Sequence, residues 1–250
     1  MRNIVIAAFV SANLLACTLE PQTDEAAPRN TTEGVATSSL EPHFSARAYE
    51  TSLRILARFS SFNADNRRLG PGDRLVAVID GGAEIPMTET VVDSTMNYVA
   101  EVPAPNASVH VAIRFIRASG QASALGSEVV VPAPFTIVKA PSTVTPHTPV
   151  TINTESVNGP VRLTGWNGCM KPGVDDTARP IAGGVYVESM SGSLETNVSD
   201  CPVDFELSAD TSGKVDSAFA QKRVGDVAQF LDPVGFVGAQ RRTFHATVTK

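Results

Sequence analysis

The sequence has no apolar run long enough to cross a bilayer as a helix, which takes about 20 residues. It has no basic stripe: 20 Lys and Arg stand against 26 Asp and Glu, a net charge of −6. That balance argues against nucleic acid as a main partner. It has no G-x-S-x-G elbow, since Met190-Ser191-Gly192-Ser193 lacks the first glycine. Gly-rich phosphate loops and dinucleotide fingerprints are also missing. The four histidines, His43, His110, His147 and His245, include no pair at metal-ligand spacing, and no Cys pair supports zinc. A redox Cys-x-x-Cys is absent. The expectation is therefore a chain that is not an enzyme and needs no cofactor. A secreted-type hydrolase with a triad assembled from distant residues remains as an alternative.

What is present comes in three parts. The 250 residues are 42% hydrophobic and 18% charged, enough for a packed core in one large domain or two of about 100 residues. Met1-Arg2-Asn3 carries one positive charge, and an apolar stretch follows from Ile4 to Ala16, broken only by Ser11 and Asn13. A short cationic segment, a short apolar segment and small residues at the end read as a secretory signal over 1–16.

That stretch closes with Leu14-Leu15-Ala16-Cys17. The motif resembles the lipobox of bacterial lipoproteins. The resemblance implies a diacylglyceryl thioether on Cys17, cleavage before Cys17 and acylation of the new N-terminus. One acyl chain holds a protein only marginally, whereas two or three make a lasting anchor. Thr18, where an Asp would retain an enteric lipoprotein in the inner membrane, points to the outer membrane, facing the periplasm or the surface. The expected partners are then the membrane, through the lipid, and a protein or glycan of the envelope.

Residues 17–42 read as the lipidated Cys and a disordered tether. Thr18 to Pro42 has no aromatic residue, three prolines and no sustained period. Such a segment buries too little apolar area to offset its ordering entropy.

From His43 onward the pattern is strand. Val109, Val111, Ile113 and Phe115 alternate with His110, Ala112, Arg114 and Ile116. Leu53, Ile55, Ala57 and Phe59 alternate with Arg54 and Arg58, although Leu56 breaks the period and leaves a helix open there. Pro132-Ala133-Pro134 marks a boundary. The fold class expected is all-β, with two antiparallel Ig-like β-sandwich domains in tandem, 43–133 and 134–250. One continuous sandwich with insertions is the alternative. The closing strand, Thr243 to Thr249, lacks Gly and Pro and should pair in the middle of a sheet. Phe135-Thr136-Ile137 and Val150-Thr151-Ile152 resemble Ig-like modules of bacterial surface proteins. Gly213 to Phe219 and Gln240 to Phe244 are similar to the C-terminal region of uncharacterised proteobacterial lipoproteins. The resemblance implies no activity.

With Cys17 taken by lipid, Cys169 and Cys201 remain, and an exported chain would pair them. A loop of that size stabilises by roughly 3–4 kcal/mol in the chain-entropy model. Trp166, the one tryptophan, stands between glycine-containing turns beside Cys169. It either packs over the bridge or stacks on a sugar ring. Tyr186 carries the same two readings. Asp175 and Asp176 offer oxygen ligands of the kind calcium takes, without EF-hand spacing, so no metal site is assigned. The leading expectation is a lipid-anchored structural or binding module. A glycan- or calcium-binding module using Trp166, Tyr186, Asp175 and Asp176 is the alternative.

Overall fold

The computed structural model describes residues 30–61, 66–92, 95–118, 120–145, 148–157, 159–166, 175–188, 200–219 and 235–249. Cys17 and the signal lie outside them, as do His147 and Cys169. Among the described residues no helix is long and apolar enough to cross a membrane.

The first sandwich is built by alternation. In β1 (Glu41–Ala48) and β2 (Ser52–Ser60) every second side chain is buried. Phe44, Ala46, Leu53, Ile55, Ala57 and Phe59 enter one core, while His43, Arg47, Arg54 and Arg58 face outward. β2 is a strand throughout. Leu56 keeps the outward phase, half-buried because it lines a surface cleft, so the helical option at 53–59 falls away.

Then come β3 (Arg74–Ile79), β4 (Ile85–Pro86), β5 (Thr88–Val92), β6 (Thr95–Pro103), β7 (Val109–Ile116) and β8 (Ala124–Val131). One layer runs β5-β6-β2-β1 and the other β4-β3-β7-β8. Leu75, Ile113, Phe115 and Val129 of the second layer meet Phe44, Ile55 and Phe59 of the first in a single core. Consecutive strands switch layers as in Ig-like sandwiches, where the first, second, fourth and fifth strands share a sheet.

The second sandwich has the same plan. Its strands are β9 (Thr136–Lys139), β10 (Thr143–Val144), β11 (Val150–Glu155), β12 (Val161–Trp166), β13 (Asp175–Ile181), β14 (Gly184–Val187), β15 (Cys201–Ser212) and β16 (Gly235–Val248). β9 pairs antiparallel with β11, and β10 pairs parallel with β16, so the opening strand is split between two layers. β13 pairs with β12 over Asp175–Ala178 and with β14 over Ala178–Ile181, so it passes from one layer to the other. Ile152, Leu163, Val185, Phe205, Leu207 and Val248 form its core. Phe205 and Phe244, directly opposite in β15 and β16, stack at 5.1 Å. The body is thus all-β with Ig-like sandwich topology: the alternation leads one to expect a sandwich, and the resemblance an Ig-like one.

Two features go beyond the sequence reading. First, β16 is long enough to serve both sandwiches. Its C-terminal half lies in the second core. Its first half pairs parallel with β1, from His43 beside Gly235 to Ala48 beside Gln240. Phe236 and Phe219, both from the 134–250 stretch, pack into the first core, with ring centroids 5.6 and 5.8 Å from Phe44. The β15–β16 hairpin therefore closes the open side of the first sandwich. Lys214 and Glu128 of β8 exchange backbone hydrogen bonds of 2.8 and 2.9 Å. One continuous sheet runs through both units.

Second, the stretch expected as tether is in part built into the body. From Asn30 onward it packs on the first sandwich, with Thr32, Thr37 and Leu40 buried. Glu41 and Pro42, expected in the tether, belong to β1. The correction has a polar cause. The hydroxyls and carbonyls of this segment are satisfied by Arg117, whose guanidinium donates to Thr32 O (2.8 Å), Val35 O (3.1 Å) and Thr37 Oγ1 (3.1 Å). A segment poor in apolar residues is ordered by a buried charge.

Candidate functional site

The continuous sheet has an outer face, and a cleft of about 950 Å³ lies along it. Its size is at the upper end of small-molecule sites. The register explains its make-up. Ser45 of β1 sits between Leu56 of β2 and Val237 of β16, while Ala239 flanks Arg47. Short side chains on β1 and β16 leave a low floor. Longer ones rise on either side: Arg47, Arg54 and Arg58 from the first sandwich, Arg162 and Arg241 from the strands of the second.

Among the described residues, five arginines and His43 line the cleft against one carboxylate, Asp210. Asp210 accepts from Arg162 Nε at 2.7 Å and also from Ser208 Oγ. Glu206, two turns of the pleat along β15, pairs with Arg241 at 2.5 Å. Burial pushes the Glu206 carboxyl above its usual range, and the opposing pull of Arg241 and Arg47 does not restore it. His43 Nε2 lies 3.1 Å from Ser60 Oγ. Arg54 Nε is buried without a hydrogen-bond partner among the described residues. Chemically the arrangement suits recognition of anionic groups by guanidinium forks, the geometry that matches carboxylate and phosphate.

The residues singled out from sequence fall on strands of the second sandwich. Trp166 ends β12, opposite Asp204 of β15. Asp175 and Asp176 open β13, opposite Thr164 and Leu163 of β12. The fold therefore brings Trp166, Asp175 and Asp176 to one end of one hairpin. Tyr186 sits on β14, beside Arg179 of β13, whose guanidinium lies 4.8 Å from the ring centroid. Tyr186 does not line the cleft. Cys201 opens β15 and is disulfide-bonded; Cys169, its expected partner, is outside the described residues. His110 pairs with Glu128 at 3.0 Å, and His245 with Asp204. Among the described residues no three His, Cys, Asp or Glu converge as a metal site.

The cleft residues did leave a trace in sequence. His43-x-Ser45-x-Arg47 and Arg54-x-Leu56-x-Arg58 put basic residues on alternate positions of two strands joined by a short turn. Arg54 and Arg58 were legible as the polar phase of their strand. The contributions of Arg162 and Arg241 depend on pairings far apart in sequence.

These features define a pair of Ig-like sandwiches fused through one sheet, with a basic cleft on its outer face. No protein-family model matches the chain, and neither does any curated protein. Among solved structures, a chimeric titin Z1Z2 carrying a KLER peptide from decorin aligns over 86% of this chain and 97% of its own, at 13% identity and a TM-score of 0.24. The tandem Ig repeats of Dlar align over 84% and 97%, at 10% identity and a TM-score of 0.28. Titin domains A168–A170 align over 83% and 65%, at 8% identity and a TM-score of 0.22. At such scores the fold assignment rests on the strand order, not on these superpositions.

Proposed function

We propose that the protein is a non-enzymatic binding module of the cell envelope, held at the outer membrane by lipid on Cys17. The observation that carries the binding role is the arginine-lined cleft, whose floor is a sheet shared by both sandwiches. A floor fixed by ladder hydrogen bonds on both sides presents its side chains in a set geometry, and preorganisation of that kind favours binding. The lipobox at Leu14 to Cys17 supports the anchor, and a Cys169–Cys201 bridge fits an exported body.

The placement of Trp166, Asp175 and Asp176 at one hairpin end supports a second reading, a glycan or calcium contact there.

The anchor is tested by metabolic labelling with palmitate on the wild type and Cys17→Ser. Label on the wild type alone, with the variant released from the membrane fraction, is the expected result. Equal labelling of both overturns the anchor.

A further inference from the structure

The edge of a sheet presents unpaired N–H and C=O groups, and proteins either blunt such edges or pair them. Among the described residues, four strands with a free side are blunted. β4 is two residues long and contains Pro86. β10 is two residues long as well. β9 ends in Lys139 and meets β11 through an irregular register. β8 is covered: Lys214 exchanges two backbone hydrogen bonds with Glu128, and Asp216 accepts from the Gly126 N–H at 2.5 Å.

β5 is the exception. It ends the long sheet, with β6 on one side and, among the described residues, no strand on the other. It has no proline, no lysine and no break in its register. Its one charge, Glu89, stands opposite Tyr98 on the inward phase and is held by Arg68, Nε to Oε2 2.8 Å. Val91, on the same phase, is 62% exposed, more than any other large apolar side chain among the described residues.

The strand is complementary to itself. Placed antiparallel to a second copy about a two-fold axis at Thr90, all five residues find partners. Thr90 then meets Thr90, Glu89 meets Val91, and Thr88 meets Val92. No like charges are opposed, Thr–Thr is a favourable cross-strand pair, and the two Val91 positions are diagonal neighbours. A register centred on Glu89 would oppose two carboxylates. One centred on Val91 would leave Thr88 and Glu89 unpaired.

The place where the described chain begins also fits a second copy. The Asn30 carbonyl accepts from the Arg68 N–H at 2.7 Å, and Arg68 reaches on to Glu89. The segment leading from Cys17 therefore joins the body on the inward side of β5. A two-fold axis normal to the sheet keeps like faces together, so both leading segments arrive from one side. Two copies held in one bilayer need that arrangement, and this step rests on the proposed anchor. Sharing a surface also raises the effective concentration of one copy for the other. The leading segment is itself a poor occupant of the edge, because Pro21 and Pro28 cannot donate to a ladder.

We infer that β5 is a self-association edge, where two copies of the chain pair antiparallel about Thr90 and join their sheets.

The test uses the full chain in density-matched detergent. Thr90→Cys, oxidised with copper phenanthroline, should give a disulfide-linked dimer on a non-reducing gel, since directly opposed Cα atoms lie about 4.5–5.5 Å apart, within disulfide range. Thr88→Cys should cross-link about tenfold more slowly or less, because the strand rise sets the two copies of that position about 13 Å apart. Sedimentation should show a wild-type dimer and a Val91→Lys monomer of unchanged melting temperature. Equal cross-linking at positions 88 and 90, or a Val91→Lys dimer, overturns the inference. So does a monomeric wild type, whether β5 is then open, covered by other residues of the same chain or kept for the strand of a different protein. Failure with palmitate on Cys17 intact removes the pairing and keeps the anchor. Cross-linking at position 90 without palmitate does the reverse.

Discussion

Arg117 and Asp73 form an ion pair sealed from solvent, Nε to Oδ2 2.9 Å, with side chains 0% and 1% exposed. Asp73 also accepts from Thr32 Oγ1 at 2.7 Å and from the Ala118 N–H at 2.9 Å. Arg117 lies 5.0 Å over the Phe115 ring. One pair thus joins the core, the loop before β3 and the segment from Asn30 to Leu40.

Breaking it leaves a buried charge without its partner. Arg117→Met should destabilise the protein by about 3–5 kcal/mol. The stretch around residues 30–40 should become the first site of protease cutting. Urea unfolding and limited proteolysis measure the two effects. The double variant Arg117→Met with Asp73→Leu should recover part of the loss, since two apolar residues leave no isolated charge. A double variant less stable than the single one would show that the pair is not the source.

Docking of the β15–β16 hairpin on β8 is close enough to depend on a missing side chain. A Cβ on Gly213 would stand against the Glu128 carbonyl oxygen and 2.6 Å from Val129 Cβ. These are backbone and core atoms with little room to move. Gly213→Ala should cost about 1–3 kcal/mol through overpacking. Because one sheet runs through both units, wild-type unfolding should show a single transition by intrinsic fluorescence and circular dichroism. Two separate transitions in the wild type would mean that the shared strands do not couple the sandwiches.

Tyr98 supplies a titration. Its hydroxyl accepts from the Leu69 N–H at 2.7 Å and donates to Glu89 Oε2 at 3.2 Å. Burial raises its pKa from 10.0 to about 12. The folded state therefore holds this proton more tightly than the unfolded state. The resulting stability is fully present below about pH 10 and is lost as the pH rises from about 10 to about 12. Ultraviolet difference titration should show a late phase that disappears in Tyr98→Phe. A Tyr98→Phe titration with the late phase intact would contradict the assignment.

Much of the body was readable because half-buried strands print their burial as period two. β2, β7 and the end of β16 follow it residue by residue. Leu56 misled for a physical reason: an outward position beside a cleft tolerates an apolar side chain. The segment from Asn30 to Pro42 misled for another. Its burial is polar, carried by Thr32, Thr37 and Arg117, and composition registers only apolar burial. The cleft was half readable. Arg54 and Arg58 stood out as a polar phase, but the bank from β12 and β16 comes from pairings that no local pattern encodes. The parallel match of Ser45 with Val237 is the plainest case.

The parallel ladder between β1 and β16 has a consequence for synthesis. A chain delivered N-terminus first makes β1 early and its neighbour β16 last among the strands. Until β16 arrives, β1 is a bare sheet margin and the seat of Phe236 is vacant, a state open to wrong pairing between nascent molecules. The first module made is thus the one that waits, and a stop codon near the end of the message would damage the beginning of the protein.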